Sequence, residues 1–267
     1  MNITPEQVLK NASLKSYDRS MPSKLQQEYY GGSGFFNFGY WTPETKSQRE
    51  ASEMLVLKLL EMLPEKNGTI LDVACGMGAT TAMLLAHYPA ENVTGVNISP
   101  VQLGLARERV AGSTFIAMDA AHLGFEDESF DNIICVEAAF HFTTRTDFLR
   151  EAYRVLKPGG RLVHSDILQR ALRSSRKVNY LKDPQALARN LESVGFVEVD
   201  VQDRTQECLK GFYRNIKAWP GQERRAGRMG LGEYLGLTVL SRIFHFVLNR
   251  RIRYYLLSSA RKPPGVV

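Results

Sequence analysis

Two hydrophobic rhythms alternate along the chain after Gly68. Short apolar runs bounded by polar or glycine-rich turns are separated by stretches in which apolar residues recur every three or four positions. Thr69–Ala74, Asn92–Val96, Thr114–Met118, Asn132–Val136 and Arg161–Ser165 therefore read as strands. Ala79–His87, Pro100–Val110 and Thr146–Leu156 read as helices, the last closed by Lys157-Pro158-Gly159-Gly160. The run Ile133-Ile134-Cys135-Val136 has no polar alternation, as expected of a strand buried on both faces. Regular strand–helix alternation implies right-handed crossovers and a parallel sheet with helices on both faces. Upstream, Ala51–Leu63 has helical spacing and stops before Pro64. Downstream, Asp183 caps a helix that opens on Pro184 and runs to about Val194. Gly195 ends it, Phe196–Val201 alternates as a strand, and Arg253–Ser258 reads as the last strand. Between these two strands, Gln202–Arg250 is too long for a plain connection and is expected to fold over something.

Composition narrows the class without naming a chemistry. The 267 residues are 44% hydrophobic and 23% charged, which excludes disorder, collagen and coiled coil. We expect one domain over 1–267: an N-terminal arm (1–50), an α/β core (51–201), and a C-terminal lid insertion with the last strand (202–267). The opening MNITPEQVLK lacks an apolar secretory core. The most apolar stretch, Leu231–Leu248, is interrupted by Glu233, Arg242 and His245, which argues against a simple membrane span. Cys75, Cys135 and Cys208 are odd in number and far apart, fitting neither a disulfide framework nor a zinc site. A reduced, cytoplasmic protein without a metal centre is expected. The net charge of +6 is concentrated late in the chain. Glu223–Val267 holds nine Lys/Arg against two Asp/Glu. Such a tail suits anionic lipid, nucleic acid or a phosphorylated ligand, and equally a solvated rim.

The stretch Ile70-Leu71-Asp72-Val73-Ala74-Cys75-Gly76-Met77-Gly78-Ala79-Thr80-Thr81 carries the most chemistry. A strand runs through a glycine turn into a helix, so the backbone can approach a ligand where a Cβ would obstruct it. Three details argue against a dinucleotide. Thr81 stands where a third glycine belongs, Asp72 would repel a pyrophosphate, and the second strand ends in Asn97 rather than an acid.

This pattern resembles the glycine motif of class I S-adenosylmethionine-dependent methyltransferases, and further resemblances follow in order. They are Val96-Asn97-Ile98-Ser99-Pro100 after the second strand, Met118-Asp119-Ala120 after the third, Phe125–Asp131 leading into the fourth, and Glu151–Gly160 leading into the fifth. The resemblance covers roughly residues 50–170. It implies a Rossmann-like fold with a mostly parallel seven-stranded sheet, S-adenosylmethionine as cofactor and S-adenosylhomocysteine as product. By the same resemblance, Asp72 holds the methionine ammonium through the Ala74-Cys75-Gly76 turn, and Gly76 and Gly78 let the methionine moiety lie flat. Asn97, with Ile98 and Gln102 beside it, meets the ribose, and Glu137 joins the cofactor-binding set after the fourth strand. Asp119 and Ala120 meet the adenine. Asn97 is the main departure, because an amide forfeits the charge-assisted bond of an acid.

For the acceptor, Val136-Glu137-Ala138-Ala139-Phe140-His141-Phe142 follows the fourth strand and lacks the Asn/Asp-Pro-Pro signature of amide or nucleobase methylation. An alcohol needs a base, and histidine suits that role near neutral pH. We expect His141 as base with Asp166 orienting it, a placement similar to that of natural-product sugar O-methyltransferases. His141 as a polar residue at a helix start is the alternative. Tyr29–Trp41 reads either as an apolar staple fixing the arm or as an aromatic lid over a sulfonium, with Tyr30 reaching the methionine carboxylate. Tyr234–Leu248 reads as an apolar helix, with core packing favoured over both a wall for a hydrophobic acceptor and contact with a membrane surface. The expected partner is thus a small hydrophobic molecule rather than nucleic acid. Transfer to a hydroxyl is favoured, and transfer to carbon of a sterol, quinone or prenyl chain, with Glu137 facing a cation, is the alternative.

Overall fold

The computed structural model describes Asp18, residues 23–170 and residues 179–265. The N-terminal decapeptide discussed above lies outside the described residues. In chain order the elements are α1 (Lys24–Tyr29), α2 (Gln48–Glu61), β1 (Ile70–Val73), α3 (Ala79–Leu84), β2 (Val93–Asn97), α4 (Pro100–Arg109), β3 (Thr114–Ala117), β4 (Phe130–Val136), α5 (Arg145–Val155), β5 (Leu156–Gln169), α6 (Pro184–Val194), β6 (Val197–Asp203), α7 (Gly211–Arg225), α8 (Leu231–Arg251) and β7 (Ile252–Arg261).

The strands form one seven-stranded sheet in the order β3-β2-β1-β4-β5-β7-β6. β1 to β5 are parallel, and β7 runs antiparallel between β5 and β6. The strand order reverses at β1, so the crevice beyond the carboxyl ends of β1 and β4 is where open α/β sheets take ligands.

Side-chain alternation splits the core into two layers. Ile70, Ile134, Val163, Tyr255 and Leu257 pack with α2, while Leu71, Ile133, Leu162 and Leu256 pack with α5 and α6. Helix starts follow the side-chain chemistry. Ser47, Ser99, Thr144 and Asp183 each accept the amide three residues on, and Pro100 and Pro184 occupy the first turns of α4 and α6. Gly195 ends α6 at φ +116°, where a Cβ would meet the Tyr153 ring at 3.1 Å.

Two element readings change. β5 extends from Leu156 to Gln169 instead of covering only Arg161–Ser165, because β7 pairs with it from Arg161 to Gln169. The segment Gln202–Arg250 comprises the end of β6, a π-helical turn at Gln206–Lys210, and the hairpin of α7 and α8. The expectation that α8 packs as core fails. Ser241 is its only buried residue, while Leu235, Val239, Ile243 and Phe246 are all more than half exposed. By length and composition it is the one helix among the described residues long and apolar enough to cross a membrane, despite the interruptions at Glu233, Arg242 and His245.

Candidate active site

A cavity of about 630 Å³ opens at the carboxyl ends of β1 to β4. Ala74, Cys75 and Gly76 line it after β1, Asn97 and Ile98 after β2, Asp119 and Ala120 after β3, and Glu137 and His141 after β4. Gln102 joins them from α4, and Tyr30, Phe36, Asn37 and Phe38 from the arm. Phe212, Phe244 and Leu248 contribute apolar wall from the α7–α8 hairpin. Two non-glycine residues at this edge are left-handed, Ala74 at φ 61° and Glu137 at φ 52°. Such conformations are uncommon and gather where a fold serves a ligand.

Three sequence-derived residues lie elsewhere. Asp72 does not line the cavity. Alternation along β1 turns it, like Ile70, toward the α2 and α3 side, where its carboxylate accepts from the Thr81 hydroxyl at 2.6 Å. Burial pushes its pKa up to about 7. Asp72 thus ties the glycine turn to the first turns of α3. Gly78 is likewise a packing position, at φ +79° with a Cβ that would meet Ala106 of α4 at 3.0 Å.

Asp166 is the third: the carboxylate expected to orient His141 is held by Arg145, while its charge still favours a proton on the His141 ring. β5 alternation turns it toward α5, where Arg145 Nε donates to Oδ2 at 2.6 Å and Nη2 to Oδ1 at 3.3 Å. The Ile167 amide fills Oδ1 further at 2.8 Å. The pair is buried, and Arg145 also donates to the carbonyls of Ile167 and Asn179. A buried carboxylate needs full compensation, and a guanidinium fork supplies more of it than one imidazole N–H.

His141 closes a short 3-10 turn, Ala139–His141, after β4, with its ring 3.9 Å from that of Phe140. Burial holds its pKa down to about 4, so the ring is neutral at pH 7. Glu137 Oε2 accepts from the Tyr255 hydroxyl at 2.7 Å and from the Phe38 amide at 2.9 Å, joining β4, β7 and the arm. Burial pushes its carboxyl up to about 8 despite those donors. Asp119 both lines the cavity and caps a turn, accepting the Ala121 amide at 2.9 Å. Among the described residues no His, Cys, Asp and Glu group is placed to share a metal ion.

Tyr29–Trp41 is staple and wall at once. Phe38 stacks on Phe212 at 4.5 Å and Tyr30 on Phe36 at 5.6 Å. The Tyr30 hydroxyl donates to the Asn37 carbonyl at 3.0 Å, so it braces the arm where a reach toward a carboxylate was expected.

Three participants escaped the sequence reading. Asn37 Oδ1 is buried at the cavity without a hydrogen-bond partner. Asp18 accepts from Ser99 Oγ at 2.7 Å and Gln102 Nε2 at 2.9 Å, and Gln102 Oε1 accepts from Asn97 Nδ2 at 2.8 Å. An acid thus reaches the neighbourhood of Asn97 from 79 positions upstream. Arg145 is the third. Only Arg145 left a local signal, as a cation in the first turn of a helix, where anions are favoured.

Comparison with known proteins sharpens this picture. Residues 71–164 match the model of a methyltransferase domain. The phthiotriol/phenolphthiotriol dimycocerosates methyltransferase of Mycobacterium leprae is 37% identical over 204 residues, covering 72% of this chain and 69% of the relative. The erythromycin 3''-O-methyltransferase of Saccharopolyspora erythraea is 30% identical over 194 residues, 63% of each chain. Several curated relatives are spanned only in part, between 51 and 63% of their length. The crystal structure of the [4+2]-cyclase SpnF superposes with TM-score 0.70 at 25% identity, over 94% of this chain and 95% of that one.

Proposed function

The chain belongs to the class I S-adenosylmethionine-dependent methyltransferases, and we propose that it methylates a hydroxyl of a small hydrophobic acceptor with His141 as the base. The observation that carries this reading is the shared cavity. A neutral imidazole, the glycine turn and the apolar wall of α7 and α8 all face one space.

The cavity residues fit the cofactor. Its volume lies within the ~300–1,000 Å³ of small-molecule sites. The bare backbone at Gly76, the amides at the strand ends and the unpartnered Asn37 Oδ1 supply acceptors and donors for a nucleoside and an ammonium. Asn97, Ile98 and Gln102 would hold the ribose side, Asp119 and Ala120 the adenine, and Ala74, Cys75, Gly76 and Asn37 the amino-acid end. When bound, S-adenosylmethionine supplies a methyl group on a cationic sulfur. The chain then has three tasks. Phe36, Phe38 and Phe212 exclude water and present aromatic faces to a cation. Phe244 and Leu248 receive the apolar part of the acceptor. His141 takes the hydroxyl proton onto a ring nitrogen as the oxygen becomes nucleophilic. Its lowered pKa weakens it as a base but guarantees an unprotonated nitrogen at neutral pH.

The location of Glu137 favours a second reading. Glu137 lines the same space as Phe38, Phe140 and Phe212, whose aromatic faces suit a cationic carbon centre, as in C-methylation of a prenyl or quinone acceptor. Incubation with hydroxylated apolar acceptors, followed by mass spectrometry that separates O-methyl from C-methyl products, decides between them. An O-methyl product lost in His141→Gln but retained in Glu137→Gln supports the first. A C-methyl product that survives His141→Gln replaces it with the second.

A further inference from the structure

Helix α8 turns apolar residues to solvent as well as to the protein. Its residues turned toward the body of the protein are Tyr234, Thr238, Ser241 and His245, with Leu237 and Leu248 among them. Its outward stripe is Leu235, Val239, Leu240, Ile243, Phe246 and Val247. A helix on a soluble surface normally has the opposite polarity, and an exposed apolar patch of this extent marks an interaction face.

The neighbours of the stripe indicate what covers it. On one flank, His245 and Asn249 form a groove with Lys210, Arg214 and Lys217 of the preceding turn and α7. None of those three cations has an ion-pair partner among the described residues. On the other flank, Phe244, Leu248 and Arg251 line the active-site cavity. Arg242 and Arg250 are exposed on α8 itself, and Arg250 lies 4.3 Å over the Phe246 ring. An apolar stripe rimmed by cations complements a surface that is hydrophobic within and anionic at its rim.

We propose that α8 docks flat on an anionic lipid surface. Its outward stripe sits in the acyl boundary, with Arg242, Arg250 and the α7 cations among the lipid phosphates. A span is excluded by connectivity. α8 passes directly into β7, which is hydrogen-bonded on both sides between β5 and β6, and α7, packed antiparallel beside it, ends in Arg224 and Arg225. A second copy of the chain is a poor occupant, because pairing two such stripes brings Arg242 and Arg250 of both copies together. Docked this way, the cavity mouth at Phe244 and Leu248 opens beside the lipid, so an apolar acceptor passes from the bilayer into the site. This last step rests on the proposed acceptor class, whereas the docking does not.

The test is co-sedimentation of the full chain with vesicles of phosphatidylcholine alone and of equimolar phosphatidylcholine and phosphatidylglycerol. Binding to the anionic vesicles is expected, falling with added salt. Ile243→Glu with Phe246→Glu, both facing outward, is expected to weaken it at least tenfold while leaving melting temperature and cofactor binding unchanged. Arg242→Gln with Arg250→Gln is expected to weaken it about thirtyfold at low salt. The proposal is overturned if the chain ignores anionic vesicles at low salt or the glutamate pair binds as the parent does. It is equally overturned if sedimentation velocity finds a dimer that the glutamate pair dissociates and that shows no vesicle binding. A failed acceptor assay with intact vesicle binding overturns only the reading of the reaction.

Discussion

The two sides of the cavity are built on opposite plans. On the cofactor side, β1, β2 and β3 end within a few residues of the polar groups they present, and those groups sit in consecutive stretches: Ala74–Gly76, Asn97–Ile98 and Asp119–Ala120. On the acceptor side, the wall comes from the arm, the loop after β4, α7, α8 and β7, which are distant in sequence and held by a few buried polar ties. The difference teaches where tolerance lies. A backbone-built side survives most side-chain changes, whereas a side assembled from distant segments depends on single hydrogen bonds.

The largest effect expected from that contrast is at Asp166. Replacing it with Leu strands Arg145 in the core and costs about 3–5 kcal/mol of stability. Denaturant unfolding reads this out, and a loss under 1 kcal/mol means that Arg145 finds other partners. Next, His141→Gln is expected to lower turnover about a hundredfold or more. Calorimetric cofactor affinity should stay unchanged, since base and cofactor contacts belong to different sides. A parallel loss of affinity breaks the division. Asp18→Ala tests the cofactor side through a member distant in sequence. Freeing Gln102 and Asn97 from their acid is expected to weaken S-adenosylmethionine binding about tenfold. Tighter binding identifies Asp18 as a competitor for the same donors.

The smallest effects are in the pH dependence of melting. Glu137, raised to about 8, holds its proton in the folded state above 4.5, where the unfolded chain has lost it, so stability falls as pH rises from about 4.5 to 8. His164, held to about 4 by burial, binds fewer protons folded than unfolded, so stability falls as pH drops from 6.5 toward 4. Glu137→Gln should flatten the alkaline decline of the melting temperature and His164→Gln the acid one.

What was legible in the sequence follows the same division. The strand–turn–helix at Ile70–Thr81 and the strand ends at Asn97 and Asp119 are local patterns, so reading them required only neighbours. Asp72 is close in sequence to the turn through which it is expected to act, but the alternation of β1 turns its carboxylate to Thr81. Sequence alone links Asp166 with His141, because both stand near strand ends at one edge of the sheet. Choosing Arg145 instead required knowing which face of β5 meets α5. The contact of Asp18 with Gln102 spans 84 positions and leaves no local trace. In α8, apolar residues occur all around the helix, so periodicity could not reveal that Leu235, Val239, Ile243 and Phe246 are the ones that face outward.

The position of β7 has a consequence for how the protein is made. β6 is hydrogen-bonded only to β7, and β7 also covers the open side of β5. During synthesis, β5 and β6 therefore leave the ribosome with bare backbone edges, and about fifty residues must follow before the strand between them arrives. Until that keystone is inserted, the nascent chain displays the unpaired edges on which polypeptides aggregate. Tyr255, which secures Glu137, arrives with the same strand, so sheet closure and completion of the cavity wall are one event.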